Sequence, residues 1–420
     1  MPGRARHPEA GTASDASASL ERPRAGPAAA FALLRQRNFG PYFVGNAVSA
    51  TGAWFQNLAA AVLILRLTDS AFLLGVLQFA QFGPILLLAP WTGSAADRFD
   101  RRRLLLIVQS SQTALAGVLA ALAFAGRATE YVVLGFALVG GVLIAFGLPA
   151  QQALLASLVD RDDLPSAVGL NSMTYNLARA IGPSAAALVI DQLGIATAFA
   201  INSASYVVLA TAVLIIRPRP QVRAEVSSSM VESFHILRRQ PRLAAFLVIV
   251  AAVGFASDPV NTLAPAFARE FGRDETVGGY LLGAFGAGAV AAALLLAGRT
   301  AGSRRRMVAT LTMLGGGMVL FSLTPWLPVA MVLLVVAGFG YLASNTSATS
   351  RLQLEVEEAH RGRIMALWGI AFLGVRPFAS LVDGAIASAA GVRTAGVVLA
   401  VPALLCAAAV ALLGRRRLRT

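Results

Sequence analysis

The sequence predicts an all-α integral membrane protein with twelve transmembrane helices in two six-helix halves. The first observation is composition: 57% of the 420 residues are hydrophobic and 13% are charged, whereas a soluble domain carries about 25% charged residues. The second is that the apolar residues form runs of about twenty, the length that a helix needs to cross a bilayer core about 30 Å thick. The third is that similar signals recur in the two halves of the chain.

Twelve apolar runs define the predicted spans, and short polar or arginine-containing loops separate them. The first six spans cover residues 39–65, 71–95, 104–125, 130–153, 166–190 and 194–216. The second six cover residues 243–268, 276–298, 307–325, 327–349, 362–388 and 393–413. The predicted organisation is therefore a disordered cytoplasmic tail (1–30), an N-terminal six-helix bundle (31–216), a cytoplasmic linker (217–242), a C-terminal six-helix bundle (243–414) and a basic cytoplasmic tail (415–420). Within the linker, residues 230–240 have helical spacing of apolar side chains, which predicts an amphipathic helix on the membrane surface.

An internal repeat relates the fifth span to the eleventh. Arg179 and Arg376 are 197 residues apart, and a proline follows each of them within four residues. Gly194 and Gly391, which follow these two spans, have the same separation. Parallel repeats about an axis along the membrane normal are how one large class of transporters is built. The repeat therefore favours a transporter of two related halves.

The distribution of positive charge predicts which way the chain is oriented in the membrane. All 35 basic residues are arginine, and most lie in short strips between apolar runs. Such strips follow the positive-inside rule, so both termini are expected in the cytoplasm and the protein in the inner membrane. The same pattern argues against nucleic acid as the partner of this chain of net charge +14. Without a lysine the chain also lacks the P-loop of one class of ATPase.

Cysteine and histidine usage argues against an enzyme. Cys406 is the single cysteine, so no intrachain disulfide is possible. The three histidines, His7, His235 and His360, fall in the predicted tail or loops. An intramembrane zinc site or a histidine-dependent catalytic site is therefore not expected, and neither is a cofactor.

A short loop after the second span carries the most specific motif of the chain. It begins at Gly93 and continues through Asp97, Arg98, Arg101 and Arg102. We interpret these residues as a gating loop in which the glycine permits close helix approach and Asp97 pairs with an arginine or caps a helix. The alternative is an ordinary positive-inside loop that happens to contain an aspartate. The spacing resembles the G-x-x-x-D-R-x-x-R-R loop of the major facilitator superfamily.

Further segments narrow this resemblance to one bacterial branch of that superfamily. They are N-L-A-R-A-I-G-P at 176–183, R-G-R-I-M-A-L at 361–367 and G-V-R-P at 374–377. This branch contains siderophore exporters and macrolide-type drug efflux proteins. The resemblance implies efflux of an amphiphilic small molecule by alternating access, driven by the proton gradient as in an antiporter. The expected partners are the solute, protons and the lipid bilayer, and the expected state is a monomer.

Four charged residues inside predicted spans are candidates for coupling or gating, because a charge at the bilayer centre is costly. Asp258 precedes Pro259, whose ring disrupts a helix, and it is the first candidate for a proton carrier; the alternative is a helix cap at a kink. Asp383 is the second. For Arg179 and Arg376 we favour a role as intramembrane charge partners over contact with the solute.

Uncharged polar and aromatic residues predict the wall of a solute cavity. An amide in lipid needs a partner, so each either bonds between helices or faces water. Aromatic rings supply apolar surface for an amphiphile, although each ring also fits a packing or lipid-facing role. The candidates are Asn57, Gln56, Gln81, Asn171, Trp54 and Phe82.

Two other functions are compatible with these features. One is import or facilitated movement of a nutrient or lipid-like solute on the same fold, since a fold does not set direction. The other, more remote, is a membrane sensor, which would need a soluble output domain.

Gly279-x-x-x-Gly283 and Gly286-x-Gly288 resemble ligand-binding glycine patterns but lie inside an apolar run, so we interpret them as close-packing helix surfaces.

Overall fold

The computed structural model describes residues 27–219, 238, 240–296, 303–356 and 361–416. Within these ranges every regular element is a helix. Most of the predicted N-terminal tail, of the linker helix at 230–240 and of the basic C-terminal tail lies outside the described residues.

The N-terminal half contains a short lead-in helix and the elements of six spans. These are α1 (Pro27–Leu34), α2 (Phe39–Thr68), α3 (Ala71–Leu87), α4 (Ala89–Arg98), α5 (Arg101–Phe124), α6 (Glu130–Leu158), α7 (Leu164–Leu193) and α8 (Ile195–Ile215). Side-chain caps define several starts. The side chains of Ser70, Asp100 and Thr129 each accept a hydrogen bond from a backbone N–H in the first turn, which satisfies a group that the helix leaves free.

The C-terminal half repeats this arrangement. Its helices are α9 (Pro241–Thr262), α10 (Ala264–Glu270), α11 (Gly278–Leu295), α12 (Arg304–Leu323), α13 (Leu327–Glu355), α14 (Arg361–Gly369), α15 (Arg376–Ala390) and α16 (Val392–Arg416). A 3₁₀ turn at Glu275–Val277 precedes α11, and a π-helical segment at Ile370–Gly374 joins α14 to α15.

Ten helices in the described part of the chain are long and apolar enough to cross a membrane, or eleven if the bent pair α3 and α4 forms one span. The remaining element of the predicted twelve is α7, which has 30 residues and is not among these ten helices. Its polar residues include Arg179, which lines a cavity between the halves. The all-α membrane fold is therefore confirmed, and twelve spans are consistent with it.

Three predicted spans are broken rather than continuous. The second bends by 60° between α3 and α4, and the seventh breaks at Leu263. The eleventh contains the π-helical segment before Arg376. Each break lies near a proline, which removes a backbone donor and clashes with the preceding turn. The disruption expected at Pro259 lies one turn later, because α9 continues through that residue to Thr262.

The two ends of the bundle are named here by their loops. The terminal face carries the first and last described residues of each half. It also carries the α4–α5 and α6–α7 connections and the start of α12. The opposite face carries Asp69, Gly126, Gly194, Gly272 and Gly391, each of which has a positive φ. Helices α2, α5, α6 and α8 pack within the first half, and α9, α12, α13 and α16 within the second. The halves meet along α7 with α11 and along α3 with α15.

Glycines permit the closest approach between the halves. A Cβ added at Gly286 would lie 2.6 Å from the Ala180 Cα and 2.6 Å from the Arg179 carbonyl oxygen. A Cβ at Gly75 of α3 would lie 2.3 Å from the Ser380 carbonyl oxygen of α15. Real Cβ contacts are never this short, so only glycine lets these backbones touch. The interpretation of the Gly279–Gly288 segment as a close-packing surface is confirmed.

We predict that Gly286→Ala destabilises this contact between the halves. The added methyl group meets backbone atoms of α7 that cannot move without separating the helices, so we expect a lower unfolding temperature in detergent, by several degrees. Gly135→Ala is the matched control, because no atom lies within 4 Å of its added Cβ and alanine favours a helix by about 1 kcal/mol over glycine. Equal unfolding temperatures for the two variants would contradict the prediction.

Candidate functional site

A cavity of about 230 Å³ lies between the two halves. Its wall combines apolar, aromatic, amide and arginine side chains from α2, α3, α7, α9, α10, α11 and α15. Of the predicted cavity residues, Asn57, Trp54 and Phe82 lie on this wall, together with both candidate arginines, Arg179 and Arg376. The remaining polar and aromatic members are Gln78, Tyr175 and Asn261.

The contacts between the halves show where this cavity opens. On the opposite-face side, α7 and α11 touch from Ala187 and Gly279 down to Arg179 and Gly286. Toward the terminal face, neither α4 nor α14 makes a substantial contact with the other half in the described residues, and Tyr175, one turn beyond Arg179, is 42% exposed. The cavity is therefore closed on the side of the opposite face and accessible from the terminal face.

An ion-pair network closes the opposite face. Arg66, at the end of α2, binds Asp274 through Nη2 at 2.9 Å and Glu275 through Nε at 3.0 Å. Arg269 binds Glu275 at 2.7 Å and Asp69 of the first half at 2.6 Å. Glu275 is only 9% exposed and pairs with both arginines. The network therefore joins the two halves around one nearly buried carboxylate.

The protonation of Asp274 gives this network a defined pH dependence. Burial raises the pKa of Asp274, but hydrogen bonds from Thr276 and the charge of Arg66 outweigh burial, so the pKa lies below its ordinary value of 3.8. When pairing lowers the pKa of an acid, the acid stabilises the paired state fully at any pH above its ordinary pKa. This stabilisation is lost as the pH falls through the lowered pKa. We therefore expect this pair to hold the opposite face closed at neutral pH and to weaken only in strong acid.

A second, enclosed cavity lies within the first half and is lined by amides. Its volume is about 40 Å³, enough for a few water molecules. Asn57 accepts a hydrogen bond from Gln81 at 2.5 Å, and Gln56 accepts one from Asn202 at 2.6 Å. Gln56 and Gln81 thus line this inner cavity, whereas Asn57 lies on the wall of both cavities.

The predicted cavity residue Asn171 lies in a separate amide cluster on the terminal-face side. Its Oδ1 accepts a hydrogen bond from Asn46 at 2.8 Å, and Asn46 in turn accepts one from Gln151 at 2.5 Å. Gln151 also donates to the Tyr175 hydroxyl at 3.1 Å. Asn171 therefore contributes to packing of α7 against α2 and α6, beside the entrance to the central cavity rather than on its described wall.

The two candidate carboxylates are buried together in the second half. Asp258 is 3% exposed and accepts a hydrogen bond from Thr262 at 2.8 Å. Asp383 is fully buried, and neither of its carboxylate oxygens has a hydrogen-bond partner. The two carboxyl groups interact electrostatically, and Asp258 also interacts with Arg376. No group of three residues in the described part of the chain is placed to hold a metal ion.

The two intramembrane arginines approach the cavity from different halves. The Arg179 guanidinium donates to the Tyr341 hydroxyl at 2.9 Å and lies 5.3 Å from the centre of that ring. Arg376 is the first residue of α15 and lines the same cavity. Neither arginine has a carboxylate within ion-pair distance in the described residues. The expected ion pairing of these arginines is therefore replaced by a hydroxyl partner for Arg179 and by longer-range attraction to Asp258 for Arg376.

The predicted gating loop is only partly as expected. Gly93 faces open space, with no atom within 4 Å of an added Cβ, so it permits no close helix approach in this conformation. The aspartate that caps α5 is Asp100, which accepts from the Arg103 N–H at 2.8 Å. Asp97 belongs to α4, and its side chain lies outside the described residues. Arg98 is exposed at the end of α4.

The loop arginines that follow anchor neighbouring helices. Arg102 donates through Nε to the Val213 carbonyl oxygen at 2.9 Å and through Nη2 to that of Leu214. These bonds satisfy carbonyl groups at the end of α8 that the helix itself leaves free. The Nε of Arg101 is buried without a partner. Gating by this loop remains a prediction.

Several residues of the site gave no clear signal in the sequence. Tyr175, Asn261 and Tyr341 are single polar or aromatic residues in apolar runs, and nothing local distinguishes them from packing residues. The ion pairs of the opposite face join residues about 200 positions apart.

Comparisons with known proteins agree with this architecture. The family model of transmembrane secretion effectors matches residues 28–420. The chain is 30% identical over 166 residues to the staphyloferrin A transporter of Staphylococcus aureus, covering 39% of this chain and 42% of that protein. It is 26% identical over 338 residues to the enterobactin exporter EntS of Shigella boydii, covering 79% of this chain and 80% of that protein.

Solved structures share the fold at low sequence identity. A bacterial homologue of the human lysosomal transporter Spinster, in an inward-facing and unoccupied conformation, has a TM-score of 0.72 at 14% identity and covers 94% of this chain and 98% of that chain. A D-xylose–proton symporter has a TM-score of 0.68 at 14% identity, covering 88% of this chain and 97% of that one.

We predict that Glu275→Gln loosens the opposite face. The substitution removes the one carboxylate that pairs with both Arg66 and Arg269, and loss of this nearly buried, doubly paired group weakens the contact by about 1–2 kcal/mol. Amide hydrogen exchange across residues 270–278 should become about tenfold faster. Glu130→Gln is the control, because Glu130 lies on the same face and makes no ion pair in the described residues. Unchanged exchange in Glu275→Gln would contradict a closing role.

Proposed function

Because the chain belongs to the transmembrane secretion effector family, within the major facilitator superfamily of transporters, we propose that it exports an amphiphilic small molecule of the siderophore or drug type. The observation that carries this proposal is the central cavity, which is closed at the opposite face and open at the terminal face. Alternating access requires such a cavity between two halves that rock about it. The siderophores named for two relatives support this class of solute.

The distribution of arginine supports an inward-facing orientation of this cavity. The described terminal-face arginines include Arg101–Arg103 and Arg304–Arg306, whereas the opposite face carries Arg66, Arg127, Arg269, Arg273 and Arg393. By the positive-inside rule the terminal face lies in the cytoplasm. The structure then corresponds to the state that receives a solute from the cytoplasm, in a monomer of the inner membrane.

The buried acids support coupling to protons. Two carboxylates in one dry site do not readily ionise together, so such a pair is able to hold one proton between them. Asp258 interacts electrostatically with Arg376, which lines the cavity, and Asp383 has no hydrogen-bond partner to stabilise a charge. We assign the proton-carrying role to this pair, with Asp258 nearer the solute.

Export and its coupling are tested in proteoliposomes with the protein in a known orientation. Solute accumulation should follow an imposed proton gradient and collapse with a protonophore. Asp258→Asn and Asp383→Asn should each reduce gradient-driven accumulation at least tenfold while leaving solute exchange at equal concentration measurable. Asp191→Asn is the control, because Asp191 is an exposed acid at the opposite-face end of α7, on a different helix from both carboxylates.

Two results would contradict the proposal. Gradient-driven transport that is unchanged in both carboxylate variants would remove the proton-carrying role. Two results together would indicate import. In proteoliposomes the solute would accumulate on the terminal-face side, and in cells deletion of the gene would change neither the tolerance for the solute nor its internal content.

A further inference from the structure

The central cavity has an unbalanced positive charge. Its wall contains two arginines, Arg179 and Arg376, and no acidic residue. The acids nearest to it, Asp258 and Asp383, are buried behind the wall. Even with one of these two acids ionised, the centre of the molecule keeps a net positive charge. A charge held at membrane depth without an ion-pair partner is costly, so its persistence points to a ligand.

The Arg179 guanidinium is held in place by contacts that leave part of it free. Tyr341 accepts one hydrogen bond from Nη1 and lies beneath the guanidinium at 5.3 Å. Tyr341 is itself 3% exposed and packs against Phe285, with ring centres 5.3 Å apart. A guanidinium has five donors, and this one has a single hydrogen-bond partner in the described residues. Its remaining donors are available to a solute in the cavity.

Arg376 faces the same space from the second half. It begins α15 directly after the π-helical segment at Ile370–Gly374, a type of irregularity that is frequent at functional sites. Because the two arginines occupy equivalent positions in the repeated halves, both reach the plane at which the halves meet. An anion between them would therefore contact both halves at once.

The rest of the wall defines what else the ligand carries. Gln78 donates to the Asn261 carbonyl oxygen at 3.0 Å, and its own Oε1 is buried without a partner. Gln78 lines the cavity, and a turn of its amide toward the cavity would let this oxygen accept a hydrogen bond from a hydroxyl or amide group. Trp54, Phe82 and Tyr175 add aromatic surface. The wall therefore suits an apolar body that carries anionic groups and at least one hydrogen-bond donor.

We propose that Arg179 and Arg376 together form a binding site for oxyanions, and that the solutes of this protein are amphiphiles with one or more carboxylate-type groups. Guanidinium groups bind carboxylates through paired N–H donors, which supplies both charge and orientation. This inference rests on the proposed transport function, because it names the chemical class of the transported solute. It assigns to the two arginines direct contact with the solute rather than a purely structural role.

The test uses three fluorescent amphiphiles that differ in charge: dansyl-glutamate, its neutral diamide and cationic dansylcadaverine. Binding to the purified full-length protein is measured by fluorescence at fixed pH and salt. Wild-type protein should bind dansyl-glutamate at least tenfold more tightly than the diamide, and dansylcadaverine most weakly. Arg179→Gln and Arg376→Gln should each reduce this preference for the anion about tenfold, with little change in binding of the diamide.

Charge-conserving variants separate binding from folding. Arg179→Lys and Arg376→Lys keep the charge but lose the paired donors, so they should retain more of the preference for the anion than the glutamine variants and less than the wild type. Arg127→Gln, which changes an exposed arginine of the opposite face, should retain all of it. Equal affinity for the three probes in the wild type would overturn the proposal. So would a preference for the anion that survives in both glutamine variants.

Transport of the same probes distinguishes this inference from the proposed function. Anion-selective binding without gradient-driven movement of dansyl-glutamate would leave the site standing and contradict the transport proposal for this solute class. Gradient-driven transport of dansylcadaverine or the diamide at the rate of dansyl-glutamate, unaffected by Arg179→Gln, would leave proton-coupled transport standing and contradict the oxyanion site.

Discussion

The close contact between α7 and α11 is the constraint on which the rest of the structure depends. Gly286 brings the two backbones together beside Arg179 and Ala180, and Gly279 does the same near the opposite face. Because these helices belong to different halves, their contact fixes where the halves join and where they separate. The cavity lies beside this contact, and both Leu282, between the two glycines, and Arg179, at the terminal-face end of the contact, line it. A contact made by glycine backbones is also reversible, since no interlocked side chains must be withdrawn when the helices part.

The opposite face and the centre of the molecule differ in how their charges are paired. At the opposite face, Arg66 and Arg269 pair with acids across the interface, and Glu275 joins both arginines. At the centre, the acids and arginines are not paired within 4 Å in the described residues. Ion pairs at the opposite face and unpaired charges at the centre fit a molecule in which the ion pairs hold that face closed and the centre binds the solute.

The sequence predicted the helices better than it predicted the contacts between them. Apolar runs and caps such as Ser70 and Asp100 act locally, so most span limits could be placed within a few residues. The sequence did not predict the breaks at Leu88 and Leu263, because a proline in an apolar run does not by itself show where the helix ends. The prediction for Gly93 was wrong for this conformation because the contact that it was expected to make depends on how the halves are arranged.

The sequence identified individual residues of the candidate site but not which of them lie together in the structure. Asp258, Asp383, Arg179 and Arg376 could each be nominated, because a charge inside an apolar run is conspicuous. That Asp383 interacts with Asp258 depends on the packing of α9 and α15. That both arginines line one cavity depends on the repeat, which brings α7 and α15 to the same interface. Tyr341 could not be identified as the partner of Arg179, which is 162 residues away in the chain.

The most direct test of alternating access measures distances across both faces in one preparation. With Cys406 replaced by alanine, spin labels at Asp162 and Leu354 report the terminal face, and labels at Arg127 and Trp326 report the opposite face. Each pair joins the two halves at exposed positions. On addition of an exported solute or a change of pH, the account predicts that the terminal-face distance shortens while the opposite-face distance lengthens. Distances that stay fixed, or that change in the same direction at both faces, would contradict it.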